Sequence, residues 1–174
     1  MEDNQPKTGK FALTYGGILG AIGIVFSLML YSLDMHYQQT MPVLVVSILL
    51  MIAALVIGMI QFKKANNGFM SFGQGLKVGV GICLIAGIIG IIFNQIMVNV
   101  IDPDMMTKAI AFQKEQLLES STMTPDQVDT QLEAQQKFMT PSMQIVFGLL
   151  YVIVSGFIFS LIPALVLKKN ENLN

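Results

Sequence analysis

The polar residues best placed to do chemistry are few. Asn94, Gln95 and Asn99 stand near the end of one long apolar stretch, and Asp102 follows just after it. Gln95, Asn99 and Asp102 are spaced by four and then three, which puts them on one face of a helix. In a bilayer that face turns toward other helices, because an amide facing lipid lacks a partner. Two roles fit this patch. One is interhelical hydrogen bonding, each bond contributing about 0.6 to 2 kcal/mol; the other is a polar vestibule for an ion or small solute. A second pair, Asp34 and His36, falls in a short loop where water would solvate both. A lone histidine without a second His, Cys or Glu at ligand spacing does not make a metal site.

No serine here has a base within motif distance. Ser27, Ser47, Ser155 and Ser160 lie in apolar surroundings, and neither Gly-x-Ser-x-Gly nor His-Glu-x-x-His occurs. No Asp, Glu, Lys or Arg falls near the middle of an apolar segment, which counts against an ion-coupled pathway. The sole cysteine, Cys83, is mid-segment and cannot form an intrachain disulfide. The expectation is a non-enzyme with no catalytic, cofactor or metal residues.

The elements that must carry these residues are set by hydropathy. The 174 residues are 53% hydrophobic and only 12% charged, where soluble domains carry about 25% charged residues. A bilayer core of about 30 Å needs about 20 apolar residues per helix. Uncharged runs at 11–33, 35–62, 78–101 and 138–167 meet that length, so four transmembrane spans are expected, at about 11–33, 43–62, 72–101 and 141–167. The first run is too long for a secretory signal and ends without a small-residue cleavage pattern, so it reads as an uncleaved span. Pairs of small residues four apart, Gly16/Gly20, Gly75/Gly79 and Gly156/Ser160, let helix backbones approach closely. They serve as grooves within the chain, with a homo-oligomer face as the alternative. Thirteen methionines and no tryptophan read as flexible apolar filler.

All ten cations are lysine, and the lack of arginine forks argues against a nucleic-acid partner. Lys7, Lys10, Lys63, Lys64, Lys77, Lys168 and Lys169 fall on one side of the four spans; Lys108, Lys114 and Lys137 fall on the other. By the positive-inside rule, residues 1–10 and 168–174 are cytoplasmic tails, and residues 102–140 are extracytoplasmic.

That outer segment is acidic and carries helix signals. Asp102 reads as an N-cap with Pro103 first, starting a helix to about Glu119. Ser120-Ser121-Thr122-Met123 breaks it. Thr124-Pro125-Asp126-Gln127 then restarts helix with a capping box, and Val128, Leu132 and Met139 share a face. The fold expected is all-α: an integral membrane four-helix bundle with an extracytoplasmic helical hairpin between spans three and four. A segment this small must lean on the spans, the lipid surface or a partner.

The entry to the third apolar run carries a familiar pattern: Asn66-Asn67-Gly68-Phe69-Met70-Ser71-Phe72-Gly73-Gln74-Gly75-Leu76-Lys77-Val78-Gly79. With Thr8-Gly9-Lys10-Phe11-Ala12-Leu13-Thr14-Tyr15-Gly16 and Ile60-Gln61-Phe62-Lys63-Lys64, the chain resembles the domain of unknown function 4199 family over almost its whole length. The resemblance implies a small inner-membrane protein of Bacteroidota and carries over no activity, cofactor or catalytic residue. Physically, Ser71 caps the third span, Phe72 anchors it at the interface and Lys77 snorkels to the headgroups. Phe69, Ser71, Phe72 and Lys77 are alternatively a docking surface for a partner. The functional expectation is an accessory subunit or scaffold in the bacterial inner membrane, in contact with the lipid bilayer and a membrane or periplasmic protein partner. The alternative is a small-solute or lipid transporter using Asn94, Gln95 and Asn99.

Overall fold

The computed structural model describes residues 6–138 and 140–170. These fold into α1 (Thr8–Ser32), α2 (Met41–Ala65), α3 (Phe72–Ile96), α4 (Met105–Ser120), α5 (Pro125–Phe138) and α6 (Pro141–Leu167), and no strand occurs among the described residues. A π-helical turn, Met97–Ile101, extends α3. Among the described residues, four segments are long and apolar enough to cross a membrane: Thr8–Ser32, Met41–Ala65, Phe72–Ile101 and Ser142–Leu167. At 1.5 Å per residue each exceeds the roughly 30 Å of hydrocarbon in a bilayer. The chain thus has the helices of a membrane protein.

These helices are apolar nearly all round, a pattern suited to lipid instead of water on their outer faces. Leu13, Val25, Leu49, Ile162 and Val166 are exposed large hydrophobics, which a water-facing helix would not carry in such numbers. The shared core is narrow and consists of Leu55, Met59, Phe62, Met70, Val78, Ile82, Cys83 and Ala164. α3 is the central element. It runs along α1 on one side and α6 on another, while α2 touches all three.

Close approach at α3 depends on glycine. A Cβ at Gly16 would meet Ile85 Cβ at 2.7 Å and the Ile82 carbonyl oxygen at 2.8 Å. On the opposite side, Gly79 abuts Ser160 and Gly156 abuts Cys83. The four-apart small residues therefore work as grooves inside the chain, in the way lipid-immersed helices associate without a hydrophobic drive.

One end of the molecule is tied by polar contacts. Ser71 caps α3 as expected, and Gln74 completes a full capping box with it. Met70 and Lys169 exchange backbone hydrogen bonds of 2.9 and 2.8 Å, and Lys63 Nζ donates to the Leu167 carbonyl at 2.8 Å. The end of α2, the start of α3 and the end of α6 meet there. Asn67 and Gly68 make the connecting turn, with φ of 53° and 83°, values that suit a left-handed Asn-Gly pair.

Beyond the apolar segments, α4 and α5 pack on each other. Val128 and Leu132 are buried, Gln113 Nε2 donates to Gln135 Oε1 at 3.2 Å, and Lys114 pairs with Asp129 at 2.5 Å. Thr124 and Gln127 cap α5 reciprocally. Met139, expected on the same face as Val128 and Leu132, lies outside the described residues. The α4 start differs from expectation: the helix begins at Met105 with Asp104 as its cap residue and no side-chain cap bond. Asp102 is not free to cap it, since its carboxylate is committed elsewhere.

Candidate functional site

The Asp102 carboxylate sits just past the π-helical turn, 9% exposed at its side chain. Its Oδ2 accepts a hydrogen bond from His36 Nε2 at 2.8 Å and another from Lys108 Nζ at 2.8 Å. His36 comes from the loop between α1 and α2, and Lys108 from the first turns of α4. One oxygen thus gathers three separate segments. Lys108 also lies 4.0 Å from the exposed Asp34 carboxylate.

Aromatic rings enclose the histidine. Tyr31 and Tyr37 pack edge-on to His36 at 5.0 and 5.3 Å between centroids, and Tyr37 contacts Phe112 of α4 at 6.4 Å. Lys108 Nζ stands 5.9 Å from the Tyr37 ring centroid, within the range of cation–π attraction. The His36 side chain is 1% exposed, so the water expected around this loop residue is replaced by rings and a carboxylate. Asp102 followed from the sequence as a polar patch member; its partner did not. The signal lay in topology, since four spans in series bring the loop of His36 and the end of α3 to the same side.

Electrostatics match this geometry. The Lys108 ammonium holds the Asp102 carboxyl below its ordinary value, with partial burial opposing and His36 adding to the effect. Lys108 is in turn raised above its ordinary value by Asp102. A carboxylate only accepts, so His36 donates through Nε2 and its neutral form keeps a lone pair on Nδ1. That Nδ1 is buried and has no hydrogen-bond partner. The imidazole is oriented as carboxylate-bound histidines are, yet among the described residues no cluster of three or more His, Cys, Asp or Glu is placed to hold a metal ion. The chemistry on offer is charge-assisted fastening of α4 to the spans.

Asn94, Gln95 and Asn99 stay near one another at the end of α3, and Asp102 leaves them. Asn94 lines a hollow between the helices together with Gly87 and Gly90. Gln95 borders an apolar groove with Ile92, Ile145 and Leu149. Asn99 is exposed, and its amide donates to the Gln95 carbonyl at 2.7 Å. Asp102 turns away to His36. The π-helical turn accounts for this, because a wider turn adds a residue and shifts the helical phase of everything after it.

The second group stays local. Ser71 is spent on the capping box, Phe72 packs against the core and Lys77 is exposed. Phe69 lies 5.3 Å beneath Lys169 Nζ, at the clasp that joins α3 and α6.

Compared with known proteins, residues 14–169 match the model of a family described as Protein of unknown function (DUF4199). No curated protein and no solved structure matches the chain.

Proposed function

The chain belongs to the DUF4199 family, and from that premise we propose that it is a non-enzymatic multi-pass protein of the bacterial inner membrane, an accessory subunit or scaffold for a partner protein. Both tails face the cytoplasm in this reading, supported by the lysine bias and by the clasp that brings Lys63 and Lys169 to one end. α4 and α5 then form an outer helical pair between spans three and four.

One observation carries the reading: α4 is fastened to the ends of the spans through Lys108, Asp102 and His36. A two-helix element standing outside the apolar segments is too small to be rigid alone. Held this way it presents a fixed surface, and preorganisation lowers the ordering cost of binding. Glu115, Glu119, Asp126 and Glu133 are exposed on it, so a partner with a basic face fits best.

The test uses photo-crosslinking amino acids at Glu119 and Asp126 in native membranes, with Val25 as a lipid-facing control. A discrete protein adduct from the outer positions, weakened when Glu115 and Glu133 become Lys, is the expected result. Adducts to lipid alone at all three positions, with recovery as a lone monomer under mild detergent, would overturn it.

A further inference from the structure

A hollow of about 370 Å³ lies among α1, α2, α3 and α6, with Met105 of α4 beside it. Its size falls within the range of small-ligand sites, roughly 300–1,000 Å³. Two glycines keep it open. A Cβ built at Gly23 or Gly90 meets nothing within 4 Å, although both residues line the hollow. They differ from Gly20 and Gly87, where a Cβ would press on Ile89 and Val152. Gly23 and Gly90 therefore bound a space instead of bringing helices together.

The polar atoms in the lining are uncharged and lie mostly at one level. Ser27, Ser47 and Asn94 each stand within two turns of the span end nearest the loops of His36 and Asp102. The Ser47 hydroxyl is used within its own helix, donating to the Val43 carbonyl at 2.8 Å. Ser27 and Asn94 have no side-chain hydrogen-bond partner among the described residues. Asn94 is exposed and Ser27 half-buried, so their polar atoms are open to a ligand, and in a bilayer a polar ligand end would supply the hydrogen bonds that hydrocarbon cannot. A ligand that supplies them must be apolar along most of its length and polar at one end. The lining has no Asp, Glu, Lys, Arg or His, so nothing there would balance a phosphate.

From this we infer that the hollow binds a single-chain amphiphile with an uncharged, hydroxyl-bearing head, of the monoacylglycerol type. The acyl chain lies in the space bounded by Gly23 and Gly90, beside Leu19, Met51 and Cys83. The head hydroxyls reach Asn94 and Ser27. The inference concerns occupancy, so it stands whether or not α4 and α5 hold a partner.

The experiment uses the full-length protein in phosphatidylcholine nanodiscs and a monoacylglycerol with a diazirine in its acyl chain. Adducts should map to the residues lining the hollow and be competed by unlabelled monoacylglycerol. Gly23→Leu and Gly90→Leu fill the space from two different helices, and each should lower labelling at least fivefold. Gly17→Leu, another glycine with open space around it but outside the lining, should leave labelling unchanged, which also controls for folding. Asn94→Leu should weaken competition by monoacylglycerol. Labelling spread over Leu13, Val25 and Val166 and insensitive to both cavity-filling variants would mean ordinary boundary lipid and overturn the site. Equal labelling by a lysophosphatidic acid probe would overturn the assignment of the head.

Discussion

His36 Nε2 donates to Asp102 Oδ2 at 2.8 Å although 66 positions separate the two residues. With Lys108 on the same oxygen, this contact makes the α1–α2 loop, the end of α3 and the start of α4 one unit. It also removes Asp102 from the helix-capping role that its place before Pro103 suggests.

If that oxygen anchors α4, Asp102→Asn should loosen the outer helices. The asparagine keeps the shape but loses the charge that both His36 and Lys108 meet. The thermal midpoint in detergent should fall by a few degrees, and trypsin should cut faster at Lys114. Asp104→Asn, at an exposed position, should behave as wild type. Equal proteolysis of the two variants would refute the anchor.

The same contact sets a pH window. Asp102 is lowered below its ordinary value of 3.8, so its contribution is present above that value and disappears as pH falls through the lower folded-state value. Lys108 is raised above 10.5, so its contribution is complete below that pH and is lost as pH rises through the higher folded-state value. Protease resistance of α4 and α5 should therefore be flat from about pH 4 to 10 with respect to this pair. Asp102→Asn should abolish the acid limb of the profile, and an unchanged limb would show that other carboxylates produce it.

Neighbouring glycines should respond in opposite ways to the same methyl group. Gly16→Ala forces α1 off Ile82 and Ile85 and should cost about 1–3 kcal/mol. Gly17→Ala meets nothing within 4 Å and should be neutral or stabilising by up to about 1 kcal/mol, since alanine favours helix over glycine. Reversible unfolding in mixed micelles measures both.

Within the outer element, apolar contact should outweigh charge. Val128 is fully buried, so Val128→Asp should separate α5 from α4 and expose both to protease. Lys114 and Asp129 are 40% and 47% exposed, and Lys114→Ala should change stability by less than about 1 kcal/mol. Loss of protection in the lysine variant alone would reverse that ranking.

Orientation has its own test. Cysteines placed at Ser121 or Gln38 should react with an impermeant thiol reagent added to intact cells, and one at Asn66 should not. The opposite pattern would invert the assigned sidedness.

The four apolar helices were legible because each carries a local, continuous signal, and Ser71 was legible as the cap of the third; that Gln74 answers it in a capping box came from the structure. Gly16, Gly79 and Gly156 were legible too, since four-residue spacing of small residues has a direct packing meaning. What stayed hidden depends on contacts remote in sequence. His36 looked like a solvated loop residue because its neighbours in sequence are polar, while its partner is in another segment. Asp102 was drawn onto the face of Gln95 and Asn99 with a uniform helical period, which the backbone breaks at Met97; Gln95 and Asn99 themselves do meet. Gly23 and Gly90 are glycines in the spans like the packing ones, and only the arrangement of helices around them distinguishes space kept empty from space closed.

That break in period makes residue count between Met97 and Ile101 as consequential as residue identity. Wound at the ordinary rate of about 100° per residue, the same five residues would turn further and rotate everything downstream. Asp102 would then swing off the imidazole and back toward the side of Gln95 and Asn99, leaving α4 aimed in another direction. The wide turn is thus a phase shifter, and the heading of the whole outer element is written in its length.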